Sequence, residues 1–291
     1  MKINKVACIF FSPTHGSRRV ARAVAEGLAR RAACAVETLD ATRTALPAHS
    51  FGRDVAAVVA VPVYGDAAAP IALERLAALR GEGAPALAVV TYGNRSFGHA
   101  AHDLERALSA QGFRVVGAGA FVGEHSYSSA ATPIAPGRPD AADLAQARSW
   151  GDDVGRRLLE GRDACADAAL LQAPADAPEA IQGFAAFAGS YARRQREHPV
   201  RIAATADAGR CTGCGACVAA CPVGAIPAGA PATTLAERCI KCAACVKVCP
   251  AGARRIDTPF APVLARFFNR PKPNVMLPAP DGLHAADAPE K

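Results

Sequence analysis

Through residues 1–160, short unbroken apolar runs alternate with segments whose apolar residues recur every three or four positions. Val6–Phe11 is continuously apolar, as a strand covered on both faces should be, and Ala35–Leu39, Val55–Val63, Ala86–Thr91 and Phe113–Phe121 follow it. Between them, Ser17–Ala32 sets Val20, Val24 and Leu28 on one helical face and Arg18, Arg19, Arg22 and Glu26 on the other. Pro70–Leu79, Phe97–Ala110 and Asp140–Leu159 read as further helices, the first with Pro in its opening turn. Strands and helices in alternation predict an α/β domain over residues 1–160, built on a doubly wound five-stranded parallel sheet.

The pattern breaks after that. Residues 161–202 begin rich in Ala, Pro and Asp and end in the charged run Tyr191–His198, which reads as a partly helical linker. Residues 203–258 hold most of the cysteines and form a small module with an internal repeat of 28 residues, from Cys211 to Cys239. In the Pro-rich tail, 259–291, Phe260, Val263, Leu264, Phe267 and Phe268 could pack back on the fold, whereas the last ten or so residues read as disordered.

Composition narrows the function classes. Hydrophobic residues make up 51% of the 291 and charged ones 20%, a globular balance, yet no apolar run reaches the ~18 residues of a membrane span. The opening Met1-Lys2-Ile3-Asn4-Lys5 leads into an apolar run without the small-residue cleavage site of a secretory signal, so the expected compartment is the reducing cytoplasm. A net charge of +7 comes from scattered Arg residues with no nucleic-acid recognition motif. It suits a solvated surface or the docking of an acidic redox partner protein, with no call for nucleic acid.

Eight of the eleven cysteines fall in one stretch, Cys211–Pro250. Cys211, Cys214, Cys217, Cys221-Pro222 and then Cys239, Cys242, Cys245, Cys249-Pro250 both spell C-x2-C-x2-C-x3-C-P. That run holds four-iron clusters in bacterial ferredoxins: three closely spaced thiolates wrap one cubane, and the fourth ligates the other. The spacing therefore assigns Cys211, Cys214, Cys217 and Cys249 to one [4Fe–4S] cluster, and Cys239, Cys242, Cys245 and Cys221 to a second. Zinc sites pair cysteines across a long spacer, and disulfide frameworks belong to small exported domains; neither fits this run. Cys8, Cys34 and Cys165 read as buried small hydrophobes.

In a doubly wound sheet, ligands sit beyond the carboxyl ends of the strands. Three loops arrive there. Ser12-Pro13-Thr14-His15-Gly16-Ser17 leads from the first strand straight into a helix, offering hydroxyls and free N–H groups to a phosphate. Pro62-Val63-Tyr64-Gly65 and Tyr92-Gly93-Asn94-Arg95 each set an aromatic ring beside a Gly that allows close backbone approach. Glu124-His125-Ser126-Tyr127 reaches the same edge, and His125 is a candidate to manage a proton there. No Gly-x-Ser-x-Gly elbow occurs and no Gly-x-Gly-x-x-Gly follows the first strand, which argues against a hydrolase triad and a nicotinamide site.

Ser12, Thr14 and Ser17 resemble the hydroxyl positions of the flavodoxin phosphate loop, and the Tyr64 and Tyr92 loops resemble the two that flank its flavin. With the cysteine repeat, the chain resembles the flavodoxin–ferredoxin fusion family, a flavodoxin-like domain ahead of a small α+β 2[4Fe–4S] ferredoxin domain. The resemblance implies FMN held by Ser12, Thr14, His15, Gly16, Ser17, Pro62, Val63, Tyr64, Gly65, Tyr92, Gly93, Asn94 and Arg95. It also implies low-potential electron transfer. His15 stands where flavodoxins place the loop glycine, with Gly16 one residue late. Whether the chain is a carrier, a flavin-dependent reductase of a small molecule, or a redox sensor that responds to cluster loss is left open by the residues alone.

Overall fold

The computed structural model describes residues 1–278. The first part runs β1 (Lys5–Phe10), α1 (Gly16–Ala32), β2 (Ala35–Asp40), β3 (Val55–Tyr64), α2 (Pro70–Leu76), β4 (Pro85–Tyr92), α3 (Ala100–Ala110), β5 (Arg114–Val122) and α4 (Ala141–Leu159). The five strands pair in parallel in the order β2-β1-β3-β4-β5, the flavodoxin-like winding. Every residue of β4 is buried, as a central strand covered on both faces requires.

Two apolar cores account for the two faces. On one, α1 and α4 cover Val6, Phe10, Val58 and Val89 with Val24, Leu28, Trp150 and Val154. On the other, α2 and α3 cover Ile9, Val59 and Val90 with Leu76, Leu104 and Leu108. The α1–α4 crossing is close because Gly27 and Gly151 lack side chains: a Cβ on either would overlap the carbonyl of Arg148 or Val24. α2 stops at Leu76, short of the expected Leu79, and α3 starts at Ala100 rather than Phe97, where Gly98 at φ +50 forbids helix.

The sheet does not end at β5. The tail returns, and β8 (Val275–Leu277) adds antiparallel to β5, pairing Val275 with Ala120 and Leu277 with Ala118. Asn274 fixes this edge, its Oδ1 accepting from the Val122 N–H at 2.9 Å and its Nδ2 donating to Asp143 Oδ1 at 2.9 Å. Trp150 Nε1 donates to the Pro278 carbonyl at 3.1 Å, so the strap also closes over α4. The expected disorder of the last residues falls outside those described.

Between α4 and the cysteine module lie a short 3-10 turn (Ala168–Leu170) and α5 (Pro178–Glu197), a helix of 20 residues. The module consists of β6 (Ala204–Ala206), α6 (Ala216–Ala220), α7 (Ala244–Lys247) and β7 (Arg254–Ile256), with β6 and β7 antiparallel. Its repeat is visible in the backbone. Gly213 and Gly215 have φ +70 and +74, and Lys241 and Ala243, 28 residues on, take the same left-handed conformation at +60 and +58. α8 (Phe260–Phe267) then packs against α5 through Ala180, Leu264 and Phe268, with Phe184, Phe260 and Phe267 beside them. Cys8 is buried and Cys34 half-buried, but Cys165 is exposed, because it lies in an irregular stretch outside both cores. No helix among the described residues is long and apolar enough to cross a membrane.

Candidate redox site: two thiol cavities and a loop-lined pocket

The eight thiols of the repeat gather around two cavities. Cys211, Cys214, Cys217 and Cys249 line one, with Pro231 and Arg254. Cys221, Cys239, Cys242 and Cys245 line the other, with Ile226, Ile240 and Ala244. Each set takes three cysteines from one copy of the motif and the last from the other copy, carried across by the turn at its Pro. None of the eight is in a disulfide. Three thiolates on one zinc would stand under ~4 Å apart. Among the described residues, the one group of three candidate ligands within 4.8 Å of one another is His102, Glu105 and Asp167, which includes no cysteine. The thiols are spread for something larger than a single ion.

The loop after β1 enters α1 with His15 at φ +70, the left-handed position that favours glycine. The Ser12 Oγ accepts the Arg18 N–H at 3.0 Å, capping the helix, and the Ser17 and Thr91 hydroxyls bond each other at 2.6 Å. Two of the three expected hydroxyls are thus engaged within the chain. Thr14, Gly16 and Ser17 line a pocket, and the helix-opening amides of Gly16 and Ser17 have no intrahelical carbonyl to bond. A pocket runs from Ser12, Thr14, Gly16 and Ser17 past Pro62, Val63 and Tyr64 to Gly93 and His125. His15 is exposed and lies outside its lining.

The pocket opens into a cavity of about 500 Å³, of the size that holds small-molecule ligands. Val63, Tyr64, Gly65, Gly93 and Arg95 line it from two of the predicted loops. Gly65 and Asp66, both at positive φ, form a two-residue hairpin that turns β3 back on itself and leaves Tyr64 at the rim. A Cβ on Gly93 would overlap the His125 ring, so this loop must be Gly for the histidine to lie across it. The His125 Nδ1 accepts the Tyr127 N–H at 3.0 Å, which puts the neutral imidazole's proton on Nε2. Burial, aided by Arg95 and Lys247, pushes its pKa down to about 4, so it is neutral at physiological pH.

Tyr92 and Asn94 sit differently from Tyr64. Tyr92 lines the loop pocket but is only 2% exposed, its ring edge-to-face with Phe97, and burial pushes its hydroxyl far up. Asn94 turns to the tail, donating to the carbonyls of Phe268 at 2.7 Å and Arg270 at 2.9 Å. Arg95 pairs with Asp66 and lies over the Phe184 ring, 4.7 Å from its centroid.

The far wall of the cavity comes from elsewhere in the chain. Ile240 and Lys241, between Cys239 and Cys242, line it, as do Phe184 of α5 and Phe260 and Leu264 of α8. Tyr64 and Tyr127 both lie close enough to Cys242 for its charge to help raise their hydroxyls, after burial. Three bonds hold this arrangement. Lys247 Nζ donates to Glu124 Oε1 at 2.6 Å and to the Ser128 carbonyl at 3.1 Å, and Arg75 donates to the Pro222 carbonyl at 2.6 Å. Sequence reading could not find Ile240, Phe184 or Arg75, because nothing local marks a residue that functions by touching another domain.

A family model described as a 4Fe-4S dicluster domain matches residues 210–253. No curated protein matches the chain. Among solved structures, a flavodoxin from the domain Archaea aligns at 12% identity over 53% of this chain and 99% of its own, with a TM-score of 0.36. A flavodiiron protein from Giardia intestinalis aligns at 19% identity over 55% of this chain and 37% of its own, TM-score 0.33, and a flavone reductase at 11% over 54% and 63%, TM-score 0.40. The chain thus spans little more than a third of the flavodiiron protein's length. The strand order β2-β1-β3-β4-β5 is itself the doubly wound arrangement. The chain thus joins a sheet of flavodoxin-like winding to a segment, residues 210–253, that matches a 4Fe-4S dicluster domain.

Proposed function

We propose that the chain relays low-potential electrons between two [4Fe–4S] clusters and an FMN. Cys211, Cys214, Cys217 and Cys249 hold the outer cluster, and Cys221, Cys239, Cys242 and Cys245 the inner one. The observation that carries this reading is the shared wall. Ile240 and Lys241, enclosed by two ligands of the inner cluster, line the same cavity as the loops after β3, β4 and β5. Tyr64 and the Gly93–His125 contact would position the isoalloxazine there, and Thr14 with the amides of Gly16 and Ser17 would take the phosphate. FMN accepts one or two electrons, whereas each cluster passes one, so the pair converts between the two kinds of step.

The chain's own groups do the rest. The apolar surroundings of Cys242 and Cys245 keep water from the inner cluster, and Lys247 and Arg75 hold the module at the pocket. Cys214 is exposed, which makes the outer cluster the point of contact for a one-electron protein partner. The surplus of 33 Lys and Arg over 26 Asp and Glu favours an acidic partner. Iron, acid-labile sulfide and FMN, measured per chain on anaerobically purified protein, test the reading. Two clusters' worth of metal and one FMN are expected, and reduction of the clusters should bleach the flavin within the same molecule. Iron with no retained FMN would reduce the chain to a dicluster ferredoxin on an inert support.

A further inference from the structure

A relay between clusters and flavin needs no roof over the flavin. A carrier that hands electrons from its flavin to another protein keeps the ring edge bare. Here α5 and α8, outside both the parallel sheet and the cysteine motif, cover the cavity with Phe184, Phe260 and Leu264. The roof is braced. Phe184 meets Phe268 edge-to-face at 5.4 Å, Phe260 meets Phe187 at 5.1 Å and Tyr191 at 4.9 Å, and Arg95 sits over the Phe184 ring. Exposed positions around the cavity, Gly65 and Lys241, mark its way out.

Building on the proposed FMN site, we infer that the space between the flavin position and the Phe184/Phe260 roof is an acceptor site for a planar conjugated molecule with an anionic substituent. The cavity, about 500 Å³, exceeds what one tricyclic ring needs, and its remaining walls are flat rings and aliphatic side chains suited to stacking. Lys241 supplies a cation at the exposed rim, and Arg95 a second, though Asp66 already pairs with it. The acceptor gains two electrons and two protons. The electrons would come from two equivalents of a reduced one-electron carrier, which is oxidised, by way of the groups that the two cysteine sets and the flavin pocket would hold; the protons would come from solvent.

The test uses full-length, anaerobic protein whose iron, sulfide and FMN content has first been measured. 1,4-Naphthoquinone-2-sulfonate and its uncharged relative menadione are titrated against the oxidised protein, with the flavin absorbance bands and calorimetry as readouts. Saturable binding of both is expected, several-fold tighter for the sulfonate. Phe184→Ala and Phe260→Ala should each weaken both probes at least fivefold, and Lys241→Ala should erase the preference for the sulfonate, with iron and FMN measured on each variant and affinities expressed per FMN-loaded chain. Full FMN content with no saturable binding, or binding indifferent to all three substitutions, overturns the acceptor site and leaves the relay standing. Absence of FMN overturns the relay and the acceptor site together. If an alanine variant loses iron, Phe184→Leu and Phe260→Leu replace it, and stacking loss alone should still weaken both probes.

Discussion

The two thiol cavities are written in nearly the same sequence and live in different surroundings. Around the outer one, Cys214 is exposed, and the N–H groups of Arg254, Ala253, Ala251 and Gly252 overcome burial to hold the Cys249 thiol below its usual value. Around the inner one, Cys242 is 8% exposed, and burial drives its thiol up to about 12 and that of Cys245 to about 11. The difference comes from what lies against each loop. Solvent reaches the first at Cys214, although its Cys217 is as buried as Cys242, whereas the second meets Tyr64 and Tyr127 of the sheet domain. A duplicated motif supplies two equal ligand sets, and the rest of the chain makes them unequal.

The hardest test removes one ligand from each set. Cys242→Ala takes a buried ligand from the inner set, and metal binding and local folding are coupled at such sites. Loss of the inner cluster should slow carrier-driven flavin reduction on the order of a hundredfold, about 2.7 kcal/mol of barrier. It should also lower the melting temperature. Cys214→Ala removes an exposed ligand, and should leave the module docked and the inner cluster's electron paramagnetic resonance signal present. Sites in series should both slow stopped-flow bleaching of the flavin; bleaching unaffected by Cys214→Ala would mean that electrons reach the inner site without passing the outer one.

A second test concerns the order in which the clusters fill. Reduction adds a negative charge, which burial disfavours and N–H groups aimed at sulfur favour. The outer cluster should therefore reduce first in a potentiometric titration, and its signal should be the one that Cys214→Ala removes. If the inner cluster filled first, amide bonds and exposure would not be the controlling differences between the two surroundings.

How much of this could be read in advance depends on the range of the interaction. The inner strands declared themselves because a strand covered on both faces is a continuous apolar run, and β4 is buried throughout, whereas the exposed edge strand β2, Ala-Val-Glu-Thr-Leu-Asp, gave a weaker signal. The thiol sets followed from spacing, a local property. β8 was invisible: three residues among prolines carry no periodicity, and their partner, β5, is about 155 residues away. Tyr64 and Tyr92 read alike because both end a strand beside Gly, and both line the loop pocket, yet only Tyr64 reaches the larger cavity while the Tyr92 ring packs on Phe97. The aromatic roof was missed for the same reason, since Phe184 and Phe260 meet only after α5 and α8 fold together.

A smaller effect probes what keeps the inner site against the sheet. Lys247→Ala removes an ion pair and a carbonyl bond at a partly exposed interface, for about 1 kcal/mol of stability. The pH dependence has a definite sign. Burial acts to raise the Glu124 carboxyl, but bonds from Lys247, the Gly137 N–H and Ser128 outweigh it and hold its pKa below the ordinary 4.5. The stabilisation is therefore complete above that value and disappears as pH falls through the lowered folded pKa. Thermal melts of wild type and Lys247→Ala should differ at neutral pH and converge in acid. A constant gap down to strongly acid pH would assign the Lys247 effect to the Ser128 carbonyl alone.

The smallest effect lies at the opposite end of the pocket from the inner cluster. His15 takes a left-handed conformation at φ +70, which costs a residue with a Cβ about 1 kcal/mol, and its side chain caps nothing. The backbone has thus kept the shape that a glycine would relax, one residue before the glycine that the chain does have. His15→Gly should leave the cluster cysteines and both signals untouched, and should raise folding stability by about 1 kcal/mol in thermal melts, with FMN affinity unchanged in fluorescence titration. The titration separates two roles. If the imidazole held the phosphate, the substitution would weaken binding instead, more so at low pH where the ring is charged. Burial and Arg18 push that ring's pKa down against the opposite pull of Asp40, so a charged His15 is disfavoured at neutral pH and relief of backbone strain should dominate.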